Sequence, residues 1–393
     1  MTRIVLALGV AQTLTWAGTY YLLAVLASPM AAELGLPRPA VFAVFSGALL
    51  LTAALGPAVG RAIDTRGGRP VLVASVLVLV AGLALLAMAG GFWTLALAWA
   101  VLGVGMAMGL YDAAFATLAG LYGAEARRPI TGITLLAGFA STLGWPLSAW
   151  MASEWGWRGA CWGWAGLLLG VALPLLLCLP RAAAALPEAT PPAPAPVPLG
   201  GARRAGVLLA LAFGVTGFVS TALSQHLPAL LLAAGAAPAA AIAAAALMGP
   251  AQVGARLAEF GLLRRVGPLA SARAAQALHP LGALVLLLVG GPAAAVFAVL
   301  HGAGNGLLTV ARGTLPLAVF GPVGYGARQG ALIGPARVAA ALAPALFGLL
   351  VEAHGASALM LTALLSLLAL GALLMLQAPP GPPGRARPPQ APG

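Results

Sequence analysis

Twelve apolar runs of about 20 residues, each bounded by Arg, Pro or Gly, constrain this chain more than any other feature. They lie at about 4–28, 39–60, 70–89, 93–121, 129–152, 159–180, 204–228, 239–260, 268–290, 293–319, 329–351 and 356–377. Hydrocarbon offers no partner to a backbone N–H or C=O, so only helices and closed barrels cross it. Barrel strands alternate over short segments, whereas these runs stay apolar throughout. The expected fold is therefore an all-α membrane protein with twelve transmembrane helices. With 61% hydrophobic and only 7% charged residues among 393, the chain is excluded from the soluble globular class.

The stretch RAAAALPEATPPAPAPVPLGGARR (181–204) separates the runs into two sixes, and its Pro/Ala content predicts a semi-extended linker. This gives an N-terminal six-helix bundle (1–180), a linker (181–203), a C-terminal six-helix bundle (204–377) and a Pro-rich disordered tail (378–393). Arginines orient the spans. Arg3, Arg61, Arg66, Arg69, Arg127, Arg128, Arg181, Arg203, Arg204, Arg264, Arg265, Arg328, Arg385 and Arg387 all fall on one side, against Arg38 and Arg158 on the other. The positive-inside rule then puts the linker, the tail and both termini in the cytoplasm, and the protein in the inner (cytoplasmic) membrane. That bias absorbs most of the formal charge of +12, so nucleic acid is not an expected partner. The N-terminal apolar stretch is too long for a signal-peptide core and reads as the first span. Cys161 and Cys178 share one predicted helix ~25 Å apart along its axis, beyond disulfide reach.

The two sixes carry matching patterns. Arg61-x-x-Asp64-x4-Arg69 recurs as Arg256-x-x-Glu259-x4-Arg264. Gly105, Gly109, Ala114, Thr117 and Leu118 recur as Gly302, Gly306, Ala311, Thr314 and Leu315, at an offset of 197. Gly132, Pro146 and Glu154 recur as Gly330, Pro344 and Glu352. Parallel six-helix repeats are a transporter architecture, with the substrate site near the midplane between them.

The loop GRAIDTRGGRP (60–70) resembles the signature of the major facilitator superfamily, Gly-x-x-x-Asp-x-x-Gly-x-Arg, through Gly60, Asp64, Gly67 and Arg69. The resemblance implies the major facilitator fold of two six-helix pseudo-repeats. It also implies gating roles for Asp64 and Arg69 across the halves, with Arg256, Glu259 and Arg264 a degenerate second copy. The segments TYYLLAVLASPMAAELGLPR, LYDAAFATL and ITLLAGFASTLGWPLSAWMASEWGWRGA are similar to a bacterial branch related to the monocarboxylate porters, whose Tyr-Glu or Tyr-Asp on helix 4 matches Tyr111-Asp112. Those porters carry Asp-x-x-x-Arg on helix 8, and this chain has Gln252-x-x-x-Arg256. Arg256 therefore has two readings, as the partner of Arg61 in the repeated gate and as a substrate residue.

By the resemblance, helices 1, 4, 7 and 10 line the central cavity. Helix 10 presents His301, Asn305, Thr309 and Arg312 on one face, and helix 7 presents Thr216, Ser220 and Ser224. Helix 1 presents Gln12, Thr15, Trp16, Thr19 and Tyr20, and helix 4 contributes Asp112. Arg337 lies near the middle of helix 11, while Arg273 near a helix end reads as snorkelling and His279 as structural. A carboxylate inside a span costs about 2.5–3.5 kcal/mol even on the mildest scale, so Asp112 needs a role. Three are open: a salt bridge with Arg312 or Arg337, proton carriage, and direct capture of a cation. One mid-span acid against two arginines favours an anionic cargo, because a guanidinium matches a carboxylate bidentately. The candidate substrate residues are thus Arg312, Arg337, Asn305, His301, Thr309, Trp16, Tyr20 and Gln12, with Asp112 for proton coupling.

The expected function is secondary active transport of a small organic anion by alternating access, coupled to protons, with the lipid bilayer as the other partner and a monomeric state. The alternative is efflux of hydrophobic or cationic compounds by drug:proton antiport. Its usual Gly-Pro-x-x-Gly-Gly motif on helix 5 is replaced here by Gly144-Trp145-Pro146. No HExxH, Ser/His/Asp grouping or Cys/His cluster predicts an enzyme, a metal or a cofactor. With no GxxxxGK[ST] motif, the driving energy is expected from a gradient.

Overall fold

In the computed structural model, residues 2–122, 126–180, 199–261, 267–320 and 325–376 are described. The first half comprises α1 (Thr2–Gly18), α2 (Leu23–Leu34), α3 (Arg38–Arg66), α4 (Gly68–Ala87), α5 (Phe92–Gly109), α6 (Tyr111–Tyr122), α7 (Arg127–Ala137), α8 (Ala140–Leu167) and α9 (Leu173–Leu177). The second comprises α10 (Leu199–Ala233), α11 (Pro238–Ala246), α12 (Met248–Gly261), α13 (Pro268–Val289), α14 (Ala294–Phe320), α15 (Tyr325–His354) and α16 (Leu359–Leu374). Among the described residues nine helical stretches are long and apolar enough to cross a membrane. Two of them, of 50 and 39 residues, are twice the length of one crossing. Gly156, at φ +70°, reverses the chain inside the first of these, and the turn at Gly355 does so in the second. With the α1–α2 pair this makes twelve spans. Most of the 181–203 linker and all of the 378–393 tail lie outside the described residues, and α10 already begins at Leu199.

Four spans are interrupted where hydropathy predicts continuity. α1 and α2 part at Thr19–Leu22, α5 and α6 at the extended Leu110, α7 and α8 at Gly138–Phe139, and α11 and α12 at Leu247. A break inside a membrane frees backbone groups that lipid cannot satisfy. Side chains do part of that work here: Gln12 Nε2 donates to the carbonyl of Gly109 at 2.6 Å, beside the Leu110 break.

Glycines set the close helix contacts. A Cβ on Gly103 would lie 2.7 Å from the Ala48 carbonyl of α3, and one on Gly302 2.7 Å from the Met248 carbonyl of α12. Gly105 packs on Leu79 of α4 and Gly304 on Ala275 of α13. In both halves, glycines of this span thus meet both the second and the third span of their own half. Outward-facing Leu77, Trp93, Leu97, Leu288 and Leu364 are exposed, as a lipid-facing surface requires.

Outside the apolar runs, one cluster ties three elements together. Glu33 accepts from Arg158 Nε at 2.8 Å and from Trp157 Nε1 at 2.6 Å, and Arg158 also donates to the Ala87 carbonyl at 2.6 Å. The Arg158 hydrogen bond, then that of Trp157, holds the Glu33 carboxyl below the usual carboxylate range. A carboxyl with a depressed folded pKa stabilises the fold above its unfolded pKa, and that contribution disappears as pH falls through the folded value. Glu33→Gln is therefore expected to lower the melting temperature at neutral pH, with the gap to wild type closing in acid; thermal unfolding across pH measures it.

Candidate functional site

The two halves meet along a polar seam. Near the ends of α2 and α10, Tyr20 Oη lies 3.1 Å from Thr221 Oγ1 and Gln225 Nε2 donates to the Tyr20 carbonyl at 2.7 Å. Further toward the loops joining α2 to α3 and α15 to α16, the Ala345 N–H donates to Ser46 Oγ and Arg38 stands 4.0 Å from Glu352. Toward the other end, Thr142 of α8 donates to the Ala246 carbonyl, and Arg256 Nη1 donates to the Thr134 carbonyl of α7 at 3.0 Å.

Asp112 sits in the first turn of α6, just past the Leu110 break, where the helix dipole favours an anion. Its carboxylate pairs with Arg337 Nη2 of α15 at 3.0 Å. Of the two arginines open as partners, Arg337 is the one it meets. The side chains are 70% and 45% exposed respectively, so solvent screens the pair and its net worth is about 0–1 kcal/mol. It is easily exchanged for another anion.

Trp16 and Tyr20 flank the Thr19–Leu22 break and gather a ring cluster. Trp16 lies 4.9 Å, centroid to centroid, from both Tyr20 and Tyr111, and Tyr111 stacks on Phe115 at 5.2 Å. Tyr21 joins through Tyr20 at 5.3 Å and through the buried Trp145 at 5.6 Å. Two arginines of the second half lie in electrostatic range of these rings: Arg256 of Tyr21 and Tyr111, and Arg312 of Tyr20. The hydrogen-bond acceptors of Arg256 are all neutral, namely the Thr134 and Gly306 carbonyls and Gln252 Oε1.

Not every candidate reaches this cluster. Gln12 is buried and spent on the Gly109 carbonyl. Thr309 is exposed and donates to the Asn305 carbonyl, while Asn305 Oδ1 accepts from Ser220 at 2.8 Å. His301 turns into the second half instead, where its Nδ1 lies 3.0 Å from His279 Nδ1, so one ring donates and the other accepts. With Thr216, Gln276 and Ser366 these histidines line a cavity of about 20 Å³, room for one water.

The signature loop divides in two. Gly67 has φ +79° and ψ 158°, a region essentially reserved for glycine, and Gly68 packs directly on Thr117. Gly60 has open space around its Cα. Asp64 is exposed, Arg69 is partly covered, and neither forms an ion pair or side-chain hydrogen bond among the described residues. In the second copy Glu259 Oε1 accepts from Ser271 of α13 at 3.1 Å, and Arg264 lies outside the described residues. The helix breaks, Tyr21, Tyr111 and the Glu33 cluster were not picked out as site features from sequence. The dipeptides Gly18-Thr19 and Gly109-Leu110 before paired aromatic or acidic residues were the available signals.

Two helical halves joined by a seam of breakable polar contacts, with charges held inside the spans, define a membrane transporter. The sequence model of the Major Facilitator Superfamily matches residues 8–298, and the chain belongs to that family. No curated protein matches the sequence. Among solved structures, a bacterial homolog of the human lysosomal transporter Spinster, in an inward-facing and occupied conformation, is 16% identical, with a TM-score of 0.71 over 95% of this chain and 96% of that one. The nucleoside transporter NupG is 13% identical, with a TM-score of 0.74 over 94% of this chain and 99% of that one. At such identities the likeness is one of fold. The chain is a multi-pass membrane transporter and not an enzyme.

Removing the Gln12 amide would leave the Gly109 carbonyl orphaned at the α5–α6 break, a loss of about 1–3 kcal/mol. Gln12→Leu is expected to lower the melting temperature in detergent, and Gln12→Asn to restore little because its chain is one methylene short.

Proposed function

We propose that this chain is a secondary active transporter of small organic anions, coupled to protons through Asp112. The observation that carries the anion reading is Arg256: a guanidinium inside the spans, bonded among the described residues only to neutral acceptors, and within electrostatic range of Tyr111 at a helix break. A charge so placed gains most from an anion that arrives with the substrate, and a carboxylate accepts two of its N–H groups at once. The amino-terminal ends of the half-helices α2 and α6 add positive potential at the same level. Arg312, Asn305 and Thr309 line the same face of α14.

Coupling follows from charge balance at Arg337. With Asp112 ionised, the pair is neutral and closed. A proton on Asp112 opens the pair, and the substrate carboxylate held at Arg256 offsets the positive charge this leaves, so proton and anion load together. Asp64 and Arg69 act as the gate on the side of the α3–α4 loop, closing when the halves rock together there. In this reading both termini face the cytoplasm, the membrane is the inner one and the working unit is the monomer.

In proteoliposomes with an imposed pH gradient, wild type is expected to accumulate the anion toward the alkaline side. Asp112→Asn is expected to keep exchange across the bilayer and to lose gradient-driven accumulation. Retained accumulation in Asp112→Asn would remove the proton role. Arg256→Gln is expected to weaken anion binding at least about tenfold, the worth of one charge-assisted hydrogen bond. Binding of bulky cations, abolished by Asp112→Asn, would instead identify an exporter.

A further inference from the structure

Apart from outward-facing rings such as Trp93 and Trp150, two sets of aromatic side chains stand out. Trp99, Trp145, Trp164, Phe45, Phe297 and Phe347 are fully buried, as core rings are. Trp16, Tyr20, Tyr21, Tyr111 and Phe115 lie at the two helix breaks and are only partly covered. Packing alone explains the first set. The second leaves ring surface open, with Tyr21 and Tyr111 in electrostatic range of Arg256, although burying a ring completely is worth more to the fold.

The open set has a directional arrangement. Phe115 and Tyr111 stack nearly parallel, at 5.2 Å and 14°, and Trp16 meets Tyr111 at 4.9 Å and 46°. Tyr20 meets Trp16 edge to face at 4.9 Å. Such a series offers both a ring face and a ring edge, and the aromatic quadrupole rewards a further ring placed against either. An aliphatic chain of equal area receives only the burial. The Trp16 indole N–H is buried and has no acceptor among the described residues, a donor whose bond is left to be made. Backbone breaks hold these rings in place, and Gln12 fixes the one before Tyr111.

We infer that the cargo is an aromatic anion, an arene carboxylate whose ring lies against Trp16 and Tyr111 while its carboxylate meets Arg256. This rests on the anion reading given above and adds the ring to it. The acid group alone does not specify such a substrate, because a guanidinium binds aliphatic and aromatic carboxylates alike.

Benzoate and cyclohexanecarboxylate share size and charge and differ in aromaticity, so their affinities for the purified full chain, by thermal shift and by Trp fluorescence, test the inference directly. Benzoate is expected to bind about tenfold more tightly, the increment that aromatic contacts add beyond buried area. Trp16→Leu is expected to weaken benzoate more than cyclohexanecarboxylate and so to erase the preference, and Trp16→Phe to keep most of it. Equal affinity of the two acids for wild type, both weakened by Arg256→Gln, overturns the aromatic assignment and leaves the anion reading intact. Preference for benzylamine over benzoate, or no carboxylate binding at millimolar concentration, overturns both. Should Trp16→Leu fail to fold, the wild-type comparison and Tyr111→Leu carry the test.

Discussion

Hydrocarbon cannot hydrogen-bond a peptide group, and each element of this structure answers to that constraint. It makes the spans helical and their outer faces apolar. It also makes every interruption costly, so the four broken spans need partners drawn from neighbouring helices. Gln12, bound to the Gly109 carbonyl, shows the arrangement: a side chain of α1 compensates a break in the fourth span. The same amide aligns α6, and with it Tyr111 and Asp112, toward the seam between the halves.

Charge obeys the same logic with higher stakes. Asp112 and Arg337 neutralise each other across the seam at 3.0 Å, yet both remain substantially exposed. A pair of this kind contributes little to stability and is correspondingly easy to open. Arg256 is held by carbonyls and an amide that orient it without cancelling its charge. The proposed transport uses both kinds of site, one charge that changes partners as the halves move and one that attracts the cargo. The clamp of Glu33 with Arg158 and Trp157 differs again, because it joins elements within one half and does not have to break.

The C-terminal histidines illustrate how a helical face can mislead. His301, Asn305, Thr309 and Arg312 recur along one side of α14. The stripe is real, but it spans two environments. His301 packs against His279 inside the second half, while Arg312 reaches the electrostatic range of Tyr20 in the first. Eleven residues are three turns, so His301 and Arg312 lie within about 20° of each other around the axis but ~16 Å apart along it, and one face meets different neighbours at the two depths.

What the sequence determined by itself is local. Twenty-residue apolar runs set the number of spans, arginines at their ends bias the orientation, and Gly67 marks a backbone conformation closed to other residues. Each follows from the transfer energy or the dihedral freedom of a few contiguous residues. The tertiary structure decided which groups meet. It chose Arg337 over Arg312 for Asp112, turned His301 toward His279, broke four spans that read as continuous, and gathered Trp16, Tyr20, Tyr21 and Tyr111 into one ring cluster. Those outcomes depend on the rotation and depth of helices distant in sequence, and close contacts at glycines such as Gly103 and Gly302 set both. No local pattern encodes them, because the energy resides in the contact and not in either segment alone.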